Sequence, residues 1–314
     1  MKYFSMFSGI GGFELGISRA KPKWECVGYS EIDKYAVQIY KKHFNHTNYG
    51  DAKLINTDDL PEFDLLVGGF PCQAFSVAGK QRGFEDTRGT LFFEIARVVK
   101  QKQPRLLLLE NVKGLLSHDK GNTFKRIIST LDELGYNAEW QVLNSKDFNV
   151  PQNRERVFII GYLRGTNRSE VFPIFGSNKQ AIKQVIGGSQ GQRVYATNGL
   201  SVTLASGAGG QGAKTGLYAI PVLTPDRLNK RQNGRRFKEN EEPSFTLTAQ
   251  DRHGVYDGTR IRRLTPTECE RLQGFPDNWT AGFSDTQRYK CLGNAVTVNV
   301  IQTIIDRINQ DKYT

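Results

Sequence analysis

Cysteine and long apolar runs are both scarce in this chain, and each shortage rules something out. Four of the 314 residues are cysteine (Cys26, Cys72, Cys269 and Cys291). They are widely separated, with neither CxxC spacing nor a neighbouring histidine, so reduced thiols are expected, and no disulfide framework or metal site. No stretch reaches the roughly 18 apolar residues of a membrane span. The opening MKYFSMFSGIGGFELG lacks a basic n-region and a small-residue cleavage site, so no membrane association and a cytoplasmic location are expected. Low-complexity tracts are missing too, and 38% apolar with 24% charged residues is the composition of a globular chain. The length suits one large domain with a smaller partner, or two ordinary ones. Acid is in short supply relative to base: 43 Lys and Arg against 32 Asp and Glu leave a formal charge of +11. Such a balance favours a polyanionic partner, with nucleic acid the leading candidate.

What is present is an alternation. YFSMF (3 to 7), DLLVGG (64 to 69), RLLLLEN (105 to 111) and RVFIIGY (156 to 162) read as buried strands. Between them, 32 to 44, 91 to 99 and 123 to 134 repeat apolar positions at helical spacing, with Asn122 expected to cap the last and Gly135 to end it. The pattern predicts an α/β fold, a doubly wound, mostly parallel sheet covered on both faces. After about residue 172 the chain turns to Gly, Ser, Thr, Asn and Gln with short β-like pieces, which predicts a smaller, irregular β-containing domain. Within it, SVTLASGAGG (201 to 210) and SFTLTAQDRHG (244 to 254) echo one another as two similar hairpins. DRLNKRQNGRRFK (226 to 238) sets six basic residues against one acid and is a candidate for phosphate contact. Helical spacing returns at the end, where Asn294 is expected to cap a helix with Val296, Val300, Ile301, Ile304, Ile305 and Ile308 on its apolar face.

Several motifs carry chemistry. FSGIGGFELG follows the first strand and opens the first helix; Gly9, Gly11 and Gly12 let the backbone approach a ligand, although Glu14 occupies the third glycine position of a GxGxxG. Glu31 closes the next strand about 20 residues on, where doubly wound folds place an acid against ribose hydroxyls. Asp51 and Pro71 stand near further strand ends. In GGFPCQAFSVAGK, Cys72 follows a strand broken by Gly68, Gly69 and Pro71, which favours an exposed thiol over a core one. Glu110 and Asn111 end a very apolar strand, where a carboxylate tends to keep its proton. Arg154 and Arg156, at the start of another strand, are candidate partners, one of them facing the same crevice.

GGFPCQAFSVAGKQRGFEDTRGTLFF, ENVKG, QNRERVF, RRLTPTECERLQGFPDNW and YKCLGNAVTVNV, in this order, resemble the C5-cytosine DNA methyltransferases of bacterial restriction–modification systems. The resemblance spans nearly the whole chain and is weakest over 165–185 and 220–243. It implies a Rossmann-like S-adenosylmethionine-dependent catalytic domain (1–174 and 286–314) and a target-recognition domain with hinge (175–285), with duplex DNA in the cleft. By the same resemblance the Cys72 thiolate attacks C6 of a cytosine, and Glu110 engages N3 and the exocyclic amine, steadied by Arg156 and Arg154. C5 then takes the methyl group, and loss of its proton expels the cysteine. A stacked base is out of reach of such chemistry, so the cytosine must be flipped out.

The cofactor contacts implied are Phe7, Gly9, Gly11, Gly12, Glu31, Ile32, Asp51, Pro71 and Asn294; Met6 stands where many members have an acid, which removes one supporting contact. GSQGQRVYATNGLSVTLASGAGGQGAKTG resembles a family recognition region, which places Gln190 in the space left by the flipped base and Arg193 and Thr203 close to DNA. Arginine suits bidentate guanine readout. Lys80 and Arg82 in the catalytic loop, and Arg235 and Arg236 in the basic run, complete the expected DNA contacts. Ala78 replaces a loop serine of one relative, and the stretch after 220 lacks a counterpart there, so the target sequence does not carry over. RRLTPTECERLQGFPDNW reads as structural, with Thr265 or Thr267 and Pro266 opening a helix, and Cys269 and Cys291 as buried. A monomer of bacterial or phage origin is expected, with a cognate restriction endonuclease acting on the same site without a stable complex. The alternatives are a tRNA cytosine-5 methyltransferase and a non-catalytic DNA-binding regulator.

Overall fold

The four apolar runs form the middle of a six-stranded sheet in order β2-β1-β3-β4-β6-β5. Their bounds in this computed structural model are β1 (Lys2–Met6), β3 (Leu65–Gly69), β4 (Leu106–Val112) and β6 (Glu155–Leu163), flanked by β2 (Glu25–Ser30) and β5 (Tyr136–Asn144). Pairings β1/β2, β1/β3 and β3/β4 are parallel, and β6 runs antiparallel to β4. Phe4, Met6, Leu66, Leu107, Leu109, Val157 and Ile159 share one core with residues of α3 (Leu91–Lys102) and α4 (Asn122–Glu133). Their alternates Tyr3, Leu65, Val67, Leu106, Leu108, Phe158 and Ile160 are equally buried. Successive side chains point to opposite faces, so both faces are covered, which is why these strands read as continuous apolar runs.

The structure describes residues 1–71, 91–166, 171–176, 184–186, 194–196, 217–223, 237–238, 242–249, 252–256 and 261–308. They divide into one unit of Met1–Leu143, Glu155–Phe175 and Val300–Thr314 and another of Asn144–Arg154 and Gly176–Asn299. In the first, α1 (Gly12–Ala20) joins β1 to β2 and α2 (Lys34–His43) follows β2. The Asp33 carboxylate caps α2 by accepting from the Tyr35 and Ala36 amides. The β5 strand is not legible in the sequence because only Tyr136 and Leu143 of it are buried, which leaves no alternation to read. Asn122 does not cap α4: Gly121, left-handed at φ 86°, precedes the helix, and the Asn122 amide turns back to Asp119. Gly135 does end it, at φ 89°.

The second unit holds a five-stranded sheet, β11-β10-β9-β8-β7, of β7 (Gln184–Ile186), β8 (Val194–Ala196), β9 (Leu217–Leu223), β10 (His253–Tyr256) and β11 (Ile261–Arg263). Thr265 opens α5 (Pro266–Leu272) with a reciprocal cap to Glu268 and Pro266 in the first turn. Buried Glu270 accepts from the Asn278 and Thr280 amides, the Thr280 hydroxyl and Arg288, tying α5 to α6 (Asp285–Asn294). Trp279 packs on Phe275, and Cys269 and Cys291 are buried. RRLTPTECERLQGFPDNW is thus packing and capping, as its lack of exposed chemistry suggested. Asn294 does not cap the last helix: it ends α6, and α7 (Val298–Arg307) begins after Thr297. The predicted apolar face of α7 is buried at every position. Among the described residues no helix is long and apolar enough to cross a membrane.

Candidate active site

The turn after β1 is built from left-handed backbone. Phe7 (φ 55°), Gly9 (φ 57°) and Gly11 (φ 88°) all lie there, and a non-glycine residue in that region signals local strain. A Cβ on Gly11 would come within 2.5 Å of the Phe44 ring, whereas one on Gly9 would meet nothing within 4 Å. Open space therefore faces Gly9. The Gly9 amide donates to Glu31 Oε2 at 2.9 Å, while Glu31 Oε1 accepts the Ile32 and Asp33 amides, both at 2.8 Å. Two carboxylate oxygens offer about four lone-pair positions, so Glu31 is oriented and still has capacity for a hydroxyl. Ile32 beside it is 70% exposed, an apolar side chain available to a flat ring. The site suits an adenosine group on these grounds.

Two residues that carried no signal in the sequence hold this rim. The Asn48 side chain accepts from the Glu31 and Gly50 amides and donates to the Glu31 carbonyl. Arg97 donates to the Ile55 and Ala52 carbonyls, fixing the short turn that Asp51 opens by accepting the Lys53 amide. A polar residue in a loop and an arginine on a helix are too common to be singled out from sequence.

The β4 end is the second half of the site. Gly69 pairs with Glu110 across β3 and β4, and a Cβ there would stand 3.2 Å from Glu110 Oε2. Glycine leaves the carboxylate its room. Arg156 lies opposite Val112 on β6, so it shares a face with Glu110 two residues away. Its Nε is 3.1 Å from Glu110 Oε1, with both side chains mostly buried. Burial pulls the Arg156 pKa down and the Glu110 charge opposes that. Asn111, 2% exposed, donates from Nδ2 to the Phe70 carbonyl at 2.8 Å and accepts the Val112 amide. It anchors the chain two residues before Cys72, and Pro71 between them is exposed.

Arg154 points elsewhere. Only 3% exposed, it donates to the carbonyls of Leu247, Gly293 and Ala295. Ser244, in the second copy of the Thr-Leu echo, bridges in parallel to Gln152. Glu14 is fully buried on α1, and burial raises its pKa to about 7, the nearby Ser5 and Tyr40 hydroxyls only partly offsetting this. Burial also pushes the neighbouring Cys26 thiol up to about 12, with Glu14 adding to the effect. Cys72, Lys80, Arg82, Gln190, Arg193, Thr203, Arg235 and Arg236 lie outside the described residues, as does the first copy of the echo.

The family model for C-5 cytosine-specific DNA methylase matches residues 1–310. The orphan methyltransferase M.SPRI of Bacillus phage SPR is 37% identical over 426 aligned residues, covering 98% of this chain and 97% of that protein. The type II methyltransferase M.HhaI of Haemophilus parahaemolyticus is 35% identical over 342, covering 97% and 93%. Among solved structures, the Schizosaccharomyces pombe Dnmt2 methyltransferase superposes with a TM-score of 0.62 at 19% identity, covering 98% of this chain and 97% of that one. That last likeness speaks to the fold.

Proposed function

The chain belongs to the C-5 cytosine-specific DNA methylase family, and from that premise we propose that it methylates C5 of one cytosine within a short sequence of double-stranded DNA, with Cys72 as nucleophile. The observation that carries the reading is the Glu110–Arg156 pair near the end of β4, set against Gly69, which precedes Cys72 by three positions in the sequence. A DNA methylase of this family uses S-adenosylmethionine, and Phe7, Gly9, Gly11, Gly12, Glu31, Ile32, Asp51, Pro71 and Asn294 would hold it. The open space at Gly9, the spare acceptor capacity of Glu31 and the exposed Ile32 support that assignment. When bound, the cofactor supplies an electrophilic methyl group.

In the proposed mechanism the Cys72 sulfur bonds to C6 of a flipped cytosine and the electron pair of the C5–C6 double bond moves into the ring. Glu110 hydrogen-bonds N3 and the exocyclic amine, which favours that electron-rich ring, and Arg156 fixes the carboxyl in place. After C5 is methylated, its proton leaves to a base, the double bond re-forms and the sulfur departs. Asn111 holds the Phe70 carbonyl, and so the approach to Cys72, fixed during these steps. The second unit would read the target, with Gln190, Arg193 and Thr203 near the bases and Lys80, Arg82, Arg235 and Arg236 near phosphates. The type II methyltransferase among its relatives favours a cognate endonuclease, and the relative called an orphan methyltransferase favours a chain that acts without one.

Bisulfite sequencing of a plasmid incubated with S-adenosylmethionine and the protein, beside the Cys72→Ala variant, tests the reading. Protected cytosines in one short recurring context, absent with the variant, are expected. No protection on DNA, with methylation of tRNA instead, would overturn it in favour of an RNA substrate.

A further inference from the structure

The turn that carries Asn294 is held by side chains from two other segments of the same unit. Arg154 donates from Nη2 to the carbonyls of Gly293 (3.2 Å) and Ala295 (2.8 Å), the residues on either side of Asn294, and from Nη1 to Leu247 (2.8 Å). A planar guanidinium that spans two carbonyls fixes the direction of the residue between them. Gln152, fully buried, accepts the Leu247 amide and donates to the Leu272 carbonyl. Gln273, also fully buried, donates to Leu292 and Ala295 and accepts from the Thr297 hydroxyl. The strand-like segment from Ser244 is stitched to the same place through Pro151 and Asn153. A Cβ on Gly293 would fall 2.3–2.5 Å from the backbone of Thr248 and Ala249, so the turn and that segment already touch main chain to main chain.

We propose that Arg154 is a positioning residue for cofactor binding: with Gln152 it locks the Asn294 turn onto residues 244–249, so that this segment of the second unit sets cofactor affinity before DNA arrives. The proposal rests on the reading of Asn294 as a cofactor contact. It moves Arg154 away from the flipped base, where the family resemblance put it.

The test uses the full chain with Arg154→Met, Arg154→Lys and Gly293→Ala. Loss of the fork takes the guanidinium from the Leu247 and Gly293 carbonyls and leaves Ala295 with Gln273 alone, and Gly293→Ala separates the same two segments without touching a charge. Hydrogen exchange in the absence of DNA and cofactor should speed up in both 244–249 and 291–297. S-adenosylmethionine binding without DNA should weaken about tenfold or more, with KM for the cofactor raised likewise. At saturating cofactor, kcat should stay within about threefold and its pH profile should not move. Arg154→Lys, which keeps the charge but not the fork, should fall between, and it and Gly293→Ala decide the matter if Arg154→Met does not fold. A drop in kcat with cofactor affinity unchanged overturns the proposal and returns Arg154 to the base. Unchanged exchange in 244–249 sinks the lock itself. If instead Asn294→Ala binds cofactor as tightly as wild type, the reading of Asn294 fails, and the exchange data still judge the lock separately.

Discussion

Glu14 occupies the place a third glycine would take, and it is fully buried, which disfavours its charged form. Its pKa of about 7 in the folded chain stands above the ordinary 4.5. Below the lower value both folded and unfolded states hold the proton. Between the two values only the folded state does, so stability falls as pH rises through that window, by about 3 kcal/mol in all, and the loss is complete above it. In Glu14→Gln, melting temperatures at about pH 5 and about pH 8 should therefore lie closer together than in the wild type; an undiminished gap would show that another group governs the slope. Arg156→Met leaves the Glu110 carboxyl without its partner, and a fall in kcat of about 10²-fold or more, with cofactor KM little changed, is expected. A fall confined to cofactor KM would place Arg156 outside the chemistry. Glu110, Gly9 and Gly11 were legible because strand ends and tight turns demand particular residue types. Asn48, the Phe70 partner of Asn111 and the destination of Arg154 were not, since a side-chain amide or guanidinium takes its meaning from carbonyls far away in sequence.

At the scale of elements, the turn into α1 and the start of α5 show two ways a helix is begun. The first depends on backbone sign: Gly11→Ala combines a left-handed position with a clash against Phe44, so a stability loss of about 1–3 kcal/mol and weaker S-adenosylmethionine binding are expected together. Unaltered cofactor affinity in a folded variant would argue against this turn as the cofactor cradle. The second depends on a side chain. Thr265→Ala removes the reciprocal cap with Glu268, costing about 1 kcal/mol, which calorimetry should register as a melting temperature lower by about 2–4 °C. Helical spacing revealed α7 because its buried stripe is complete. The spacing misplaced its cap and that of α4, because Asn is a plausible first residue wherever a polar turn precedes an apolar face, and the competing turn at Gly121 leaves no mark in the apolar pattern.

For the whole molecule, a formal charge of +11 makes association with a phosphate backbone an ion-exchange process. The logarithm of the DNA association constant should fall linearly with the logarithm of salt concentration, with a slope of about −0.9 for each phosphate neutralised. A filter-binding or anisotropy series that stays flat between low and moderate salt would contradict a basic DNA-binding face. Charge, apolar alternation and motif order act locally or additively along a chain, and they were enough to settle the doubly wound sheet, its glycine turn, the Glu110 strand end and the family. The antiparallel direction of β6 and the marginal β5 needed the folded sheet, because an apolar run carries no mark of its direction and an edge strand such as β5 buries too little to announce itself. So did the division of labour between two arginines only two residues apart. Arg156 turns to Glu110 and Arg154 to the Asn294 turn, and no local pattern distinguishes them, because each is defined by the partner that long-range packing brings to it.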